Sequence, residues 1–453
     1  MQLYPDPSQT LSGVSEEIRV CRLSCVDVLE GCLAAIAARE AEVRAWVLID
    51  REGALARAHE LDRELADGRW RGELHGIPIA IKDIVDVAGW PTAAGAAHWA
   101  DRIAAADAPI VSRLRSAGAV ILGKTVTTQF ASFDPPVTRN PWNLERTPGG
   151  SSSGSAAAVA CGMCYGAVGT QTGGSITRPA SYCGIVSCKP THGWITLRGV
   201  LPFAPSLDHP GPMARCVRDL AVLLDCMAAG DDPPALRGGA LPPSHGKAPS
   251  LVAAVDAGRQ QPPRLGRLRG LFQESADQAS LEALEGALER LRVGGADVRE
   301  MPLPETFAEV PRRHMSVMAS EAAAWHEDAL SAHPEQYLPK IRSVLRHGLQ
   351  TTAAEYVRCR QHQAELSAEM DELLKGVDVL VCPATPGAAP DATSTGDPLF
   401  NAPWSYTGLP TVSLPASLSP EGLPLGIQLV GRRGGEAALL QTAAWCESRL
   451  RGR

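Results

Sequence analysis

The stretches TPGGSSSGS at 147–155 and GTQTGGS at 169–175 are the most informative parts of this chain. In each of them a serine, Ser151 or Ser175, directly follows two glycines. Glycines let the backbone turn sharply and leave its N–H groups free to face an anion. The pattern therefore indicates a serine that attacks a carbonyl carbon. The apolar segment 156–168 between the two stretches is typical of a buried core helix.

Lys82 is the candidate base for such a nucleophile. It follows the apolar, β-branched run 76–81, which is typical of a buried strand. A serine hydroxyl needs a neighbouring base to accept its proton. A lysine serves only when it is neutral, and burial among apolar residues lowers its pKa in that direction. A lysine after a strand usually keeps its ammonium group in solvent, so this role depends on the surrounding motifs.

Helix and strand patterns alternate along the chain. Helical spacing or caps occur at 24–36, 51–65, 110–118 and 280–291, and short apolar runs occur at 76–81, 119–122, 296–298 and 378–383. This alternation predicts an α/β layered fold. The segment 229–265 is rich in proline, glycine and polar residues, which predicts a surface loop or linker.

Composition restricts the class of protein. The 453 residues are 45% hydrophobic and 21% charged, which is typical of a globular protein. The net charge of −7 gives no basic surface for nucleic acid or an anionic membrane. No run of 18 apolar residues and no signal peptide pattern is present, and the twelve cysteines lack the density of a small secreted scaffold. These features predict a cytoplasmic protein.

A series of motifs resembles the amidase signature family. The motifs are GIPIAIKD at 76–83, NPWN at 140–143, RTPGGSS at 146–152, GGSI at 173–176, KPT at 189–191, SLD at 206–208, GP at 211–212, GLP at 408–410 and GLPLGIQL at 422–429. They extend over residues 15–450 or so, and their order and spacing together make a chance match very improbable.

The resemblance implies a three-layer α/β/α fold with a large mixed, mostly parallel central sheet covered by helices. It implies one domain over residues 1–453. That domain would comprise an N-terminal helical part at 15–70, a core with the catalytic residues at 71–228, the surface segment 229–265 and a remainder at 266–453. Helices at about 305–375 would line the substrate pocket.

The resemblance also implies a catalytic triad. Ser175 would be the nucleophile, Ser151 would relay the proton after a cis peptide bond from Gly150, and Lys82 would be the base. The oxyanion hole would consist of the backbone N–H groups of Thr172, Gly173, Gly174 and Ser175. No metal ion or organic cofactor is expected.

Three positions depart from the family pattern. Gln171 stands where aspartate is usual, Ser153 stands where glycine is common, and Thr177-Arg178 replaces an arginine directly after Ser-Ile. Arg178 either anchors the loop through backbone carbonyls or a carboxylate, or faces the substrate. The expected substrate contacts are Gln129, Gly149, Gln171, Arg178, Met315 and Met318.

Rival patterns point elsewhere. Residues 150–154 satisfy G-x-S-x-G with Ser152 as nucleophile, but that motif requires a preceding strand, and 143–148 is typical of a loop. Four cysteines could form a zinc site, although their apolar surroundings favour buried free thiols: Cys161, Cys164, Cys183 and Cys188. Four scattered histidines are predicted to be structural or exposed: His192, His209, His314 and His326.

The favoured function is a stand-alone hydrolase of linear aryl or acyl amides, with carbamates (urethanes) as a further substrate class. Its partner would be a small molecule, without nucleic acid or membrane, and the protein would be a monomer or homodimer. The alternative is a partner-dependent amidotransferase A-type subunit or a non-catalytic binding homologue. The intact Lys82, Ser151 and Ser175 favour the hydrolase.

Overall fold

The computed structural model describes residues 3–4, 6–228 and 250–451. One sheet of eleven strands runs through this part of the chain. The strands are β1 (Trp46–Ile49), β2 (Pro78–Lys82), β3 (Val120–Thr125), β4 (Gly166–Gln171), β5 (Val186–Lys189), β6 (His209–Ala214), β7 (Arg264–Leu268), β8 (Asp297–Met301), β9 (Val379–Pro383), β10 (Thr411–Leu418) and β11 (Pro424–Val430).

The strand order is β1-β3-β2-β4-β6-β5-β10-β11-β9-β7-β8. The prediction of an α/β fold with a large mixed sheet is confirmed. The expected predominance of parallel pairs is wrong, because only β3-β2-β4 and β9-β7-β8 pair in parallel. In the centre, β4-β6-β5-β10-β11-β9 pair antiparallel. The strands β10 and β11 are joined by a short turn, and such a turn permits only antiparallel pairing.

Helices pack on this sheet. They are α1 (Leu11–Arg19), α2 (Cys25–Val43), α3 (Arg51–Ala66), α4 (Pro109–Ser116), α5 (Ser153–Ala160), α6 (Thr177–Cys183), α7 (Val217–Ala228), α8 (Leu251–Ala257), α9 (Leu271–Glu274), α10 (Gln278–Val293), α11 (Val310–Ala332), α12 (Pro339–Gln350), α13 (Ala353–Leu373), α14 (Ala402–Tyr406) and α15 (Glu436–Leu450). Helices α5 and α6 contact each other and the central strands, and α7, α8 and α15 contact one another.

Two predicted segments differ from the structure. The helix expected over 156–168 ends at Ala160, because the chain turns at Gly162 with φ of 72° and continues into β4. Most of the predicted loop 229–265 lies outside the described residues. Its end is not a loop, since α8 begins after Ser250, whose hydroxyl caps it, and β7 begins at Arg264.

The N-terminal part predicted as helical at 15–70 also contributes the edge strand β1. Ser24 and Asp27 form the expected capping box at the start of α2. No helix in the described ranges is long and apolar enough to cross a membrane.

The centre of the sheet positions the site. Every residue of β2 and β4 is buried, as expected for strands covered on both faces. The two strands are parallel neighbours, with Ile81 opposite Val168. Their carboxyl ends therefore meet at one edge of the sheet, where side chains that follow them can converge.

Candidate active site

Lys82 and Ser151 meet at the carboxyl ends of β2 and β4. The Lys82 Nζ atom lies 2.8 Å from the Ser151 Oγ atom. It also lies 2.8 Å from the Oγ1 atom of Thr170, which belongs to β4. Thr170 was not predicted as a site residue, and its position one residue before Gln171 is the only sequence signal for it. The structure thus brings the expected base and relay serine into direct contact.

The environment of Lys82 favours the neutral amine. Its side chain is fully buried, and this burial lowers its pKa well below the ordinary value. The carboxylate of Asp208 opposes the shift without a hydrogen bond to the amine. Asp83, the next residue along the chain, pairs instead with Lys124 at 2.9 Å. Lys82 is therefore suited to accept a proton.

The loop before Ser151 is anchored by Arg178. The peptide bond between Gly150 and Ser151 is cis, as the family resemblance implied. The buried guanidinium of Arg178 donates from Nη2 to the Gly150 carbonyl at 2.7 Å. Of the two roles left open for Arg178, the structure shows anchoring through a backbone carbonyl. Substrate contact by Arg178 stays a prediction.

Gly149 fits the loop closely against α6. Its φ is 81°, and a Cβ atom at this position would lie 2.8 Å from the Cα atom of Pro179. Both features exclude a larger residue. The structure therefore gives Gly149 a packing role, and its expected contact with substrate stays a prediction.

Ser175 lies in the loop between β4 and α6, beside the Ser151 loop. The Ser152 N–H donates to the Ser175 carbonyl at 3.3 Å, which joins the two serine loops. Within the described residues, the Ser175 Oγ atom makes no hydrogen bond, and the residue is 8% exposed. Catalytic hydrogen bonds often form or tighten only with substrate present. The Ser175 hydroxyl is thus at the surface of the site and available to attack.

Four consecutive N–H groups precede and include that serine. In the part of the chain that the structure describes, the N–H groups of Thr172, Gly173, Gly174 and Ser175 donate to no acceptor. The next two, of Ile176 and Thr177, both donate to the Gln171 Oε1 atom at 3.0 Å. A row of free donors beside a nucleophile is what an oxyanion hole requires.

Gln171 holds this loop in place. In addition to its two accepted hydrogen bonds, its Nε2 atom donates to the Ser405 hydroxyl of α14 at 3.3 Å. The side chain is buried, so its polar atoms need these partners. Gln171 was expected to contact substrate, whereas the structure assigns its amide to the loop.

Replacement of Gln171 with alanine is expected to lower the free energy of unfolding by about 1–3 kcal/mol, because two buried N–H groups lose their acceptor. Chemical denaturation of both proteins measures this difference. Gln171→Glu is the matched control, since a carboxylate retains an acceptor for both N–H groups and should lose less stability than alanine. An alanine variant as stable as the parent would contradict the role of Gln171 in the loop.

The other predicted substrate contacts have structural partners. The Gln129 side chain donates to the Gln336 carbonyl at 2.8 Å and accepts from the Leu338 N–H at 2.7 Å, so it ties its loop to the start of α12. Met318 is buried in the core, and Met315 packs against it half-buried. No described contact joins these three residues to the site, and their contact with substrate stays a prediction.

Two residues not predicted to function lie at the oxyanion row. The Nε2 atom of His314, on α11, lies 2.9 Å from the Thr172 carbonyl. The Thr172 hydroxyl donates to the Asp208 Oδ1 atom at 2.5 Å. His314 was classed with the structural histidines, and only its place beside Met315 on a predicted pocket helix could have indicated it. Asp208 was visible only as part of the SLD motif.

The rival motifs fail in the structure. Ser152 does not follow a strand, and its buried hydroxyl is engaged with the Thr170 backbone at 3.1 Å and 3.2 Å. The four cysteines are free thiols, and Cys183 donates to the Pro148 carbonyl. No cluster of His, Cys, Asp or Glu in the described ranges is arranged to hold a metal ion.

Comparisons with known proteins agree with this geometry. A sequence model of the family described as Amidase matches residues 27–440. An amidase of Pseudomonas putida is 37% identical over 433 residues, which cover 91% of this chain and 90% of the relative. The A-type subunit of the glutamyl-tRNA(Gln) amidotransferase of Roseiflexus sp. (strain RS-1) is 35% identical over 470 residues, which cover 95% and 94%.

A solved structure extends the likeness to the fold. The native peptide amidase of Stenotrophomonas maltophilia is 31% identical, with a TM-score of 0.85 and coverage of 98% of this chain and 97% of that one. Since the family match extends over most of the chain and includes both serine loops and Lys82, this protein belongs to the Amidase family.

Proposed function

We propose that this protein is a stand-alone amidase that hydrolyses the C–N bond of linear amides through an acyl-enzyme on Ser175. The observation that carries the proposal is the contact between buried Lys82 and Ser151 beside four free backbone N–H groups. A neutral lysine, a hydroxyl relay and an oxyanion hole are the parts that acyl transfer to a serine requires.

The proposed reaction begins with attack of the Ser175 Oγ atom on the amide carbonyl carbon. The Ser175 proton passes to Ser151, which gives its own proton to the neutral Lys82 amine. The N–H groups of residues 172–175 stabilise the negative oxygen of the tetrahedral intermediate. The C–N bond then breaks as the proton returns through Ser151 to the leaving nitrogen. Water, activated by the same relay, hydrolyses the acyl-enzyme and releases the acid.

Two relatives support an amide as the substrate. The Pseudomonas putida relative is an amidase, and the Stenotrophomonas maltophilia relative is a peptide amidase. We propose linear aryl or acyl amides for this chain, acted on by a monomer or homodimer without other subunits. A carbamate has the same kind of carbonyl carbon, so it is retained as a test substrate.

A second candidate is a partner-dependent component of an amidotransferase. It is favoured by the 35% identity to the Roseiflexus amidotransferase chain over 95% of this protein. The same serine and lysine would then act within an assembly of several chains. This candidate differs from the first in one measurable property, namely the need for partner subunits.

A substrate panel separates the two candidates. We expect the purified protein alone to hydrolyse at least one member of a panel of anilides, aliphatic amides, dicarboxylic monoamides, ureas and aryl carbamates. Release of amine or ammonia is measured, and the Ser175→Ala variant provides the background rate. Glutamine hydrolysis that appears only after addition of the other subunits of a bacterial amidotransferase would favour the second candidate and overturn the first.

A further inference from the structure

Thr172 is the first residue of the oxyanion row, and it is held from two sides. Its hydroxyl donates to the Asp208 Oδ1 atom at 2.5 Å, and its carbonyl lies 2.9 Å from the His314 Nε2 atom. Gly173 and Gly174 follow without side chains that could hold the backbone. The direction of the N–H groups in this row therefore depends on how firmly Thr172 is fixed.

Asp208 is itself fixed by its own loop. Its Oδ2 atom accepts from the N–H groups of Phe203 and Ala204 at 2.8 Å and 3.0 Å. The carboxyl group is buried, and this burial raises its pKa to about 6. The next acidic group that acts on it is Glu321 of α11, which accepts from the Ser206 N–H in the same loop. Asp208 is thus a rigid support for the Thr172 hydroxyl.

Asp208 also faces Lys82 electrostatically. Among the described residues, it is the charged group that shifts the pKa of Lys82, and it raises this pKa against the effect of burial. A base must be neutral at the working pH and still bind a proton during the reaction. Burial alone favours the first requirement, and the Asp208 carboxylate favours the second.

We propose that Asp208 is a positioning residue that fixes the oxyanion row through Thr172 and sets the proton affinity of Lys82. The inference rests on the proposed amidase function. One carboxylate would then tune both halves of the catalytic machinery, the acceptor of the negative oxygen and the acceptor of the proton. His314 completes the support of Thr172 from the opposite side.

The first test is a matched pair of substitutions at Thr172. Thr172→Val retains the shape but loses the hydroxyl, and Thr172→Ser retains the hydroxyl. Removal of one oxyanion donor costs about 100- to 1000-fold in kcat, so misdirection of the donors should cost roughly 10- to 100-fold. We expect this loss in kcat for Thr172→Val, with KM little changed. Thr172→Ser should recover most of the parent rate.

The second test is the pH profile of Asp208→Asn. Loss of the carboxylate lowers the pKa of Lys82 further, so the base becomes neutral at lower pH. The acidic limb of kcat/KM should therefore move to lower pH in Asp208→Asn, while Thr172→Val keeps the parent profile at a reduced rate. A role of Asp208 confined to folding would lower the amount of active protein without moving the limb.

The outcomes distinguish the inference from the function on which it rests. If the parent protein hydrolyses no amide in the panel, the proposed function fails first. If the parent is active and Thr172→Val keeps the parent kcat, the support of the oxyanion row by Asp208 is overturned. If Asp208→Asn refolds and its acidic limb does not move, the effect on Lys82 is overturned. Circular dichroism of each variant checks that it is folded.

Discussion

Replacement of Ser175 with alanine is expected to abolish amide hydrolysis, with a loss in kcat of about 10,000-fold or more, as for other serine nucleophiles. The hydroxyl is the only part of the residue that is removed. The Ser175 carbonyl continues to accept from the Ser152 N–H, so the two serine loops stay joined. Steady-state rates of parent and variant on the best amide of the panel measure the effect.

Ser152→Ala is the matched control for this variant. The Ser152 hydroxyl is also buried in a glycine-rich loop, but its partners are the backbone groups of Thr170. We expect this variant to keep amide hydrolysis and to lose some stability. A serine-reactive fluorophosphonate should modify the peptide that contains Ser175 in the parent. Full activity of Ser175→Ala, or modification of Ser152 instead, would refute the assignment of the nucleophile.

Replacement of Lys82 with methionine should lower kcat/KM by about 1000-fold or more, since the nucleophile loses its base. Methionine matches the length of the side chain and suits a fully buried position. In the parent, kcat/KM should rise with pH as the Lys82 ammonium loses its proton, below the ordinary pKa of lysine. The variant should lack this limb. A variant with the parent rate and the parent pH profile would exclude Lys82 as the base.

The same substitution changes how stability depends on pH. Burial lowers the pKa of Lys82 in the folded protein, so between that value and the ordinary value the unfolded chain binds more protons. The parent therefore gains stability as pH rises through this window, by up to about 1.4 kcal/mol per pH unit. Lys82→Met should lack this slope. Denaturant titrations of both proteins at several pH values measure the difference.

Much of the fold follows from local patterns. The capping box at Ser24, the apolar run before Lys82 and the helix-to-strand pattern at 110–122 each specify an element by short-range interactions. The helix predicted over 156–168 failed because its apolar residues serve two elements, α5 and β4, and Gly162 separates them. Apolar composition alone does not distinguish a buried helix from a buried strand. The direction of strand pairing depends on distant partners and was also missed.

The site could be predicted where chemistry restricts the residue type. Lys82 and Ser151 meet as expected, because a relay needs that pair of groups in contact. The supporting contacts could not be predicted in the same way. The hydrogen bonds from Thr172 to Asp208 and to His314 join residues 36 and 142 positions apart. Such contacts depend on how the elements pack and have no local pattern.

The order of the strands separates chemistry from selectivity. The strands β1 to β6 form one continuous side of the sheet, and β7 to β11 form the other, joined where β5 pairs with β10. Lys82, both serines and the oxyanion row belong to the first side, whereas α11 to α14 follow within the second half of the chain. Evolution could therefore alter the substrate walls through one half while the reacting groups stayed untouched. A division of labour of this kind lets one hydrolytic centre serve many substrates.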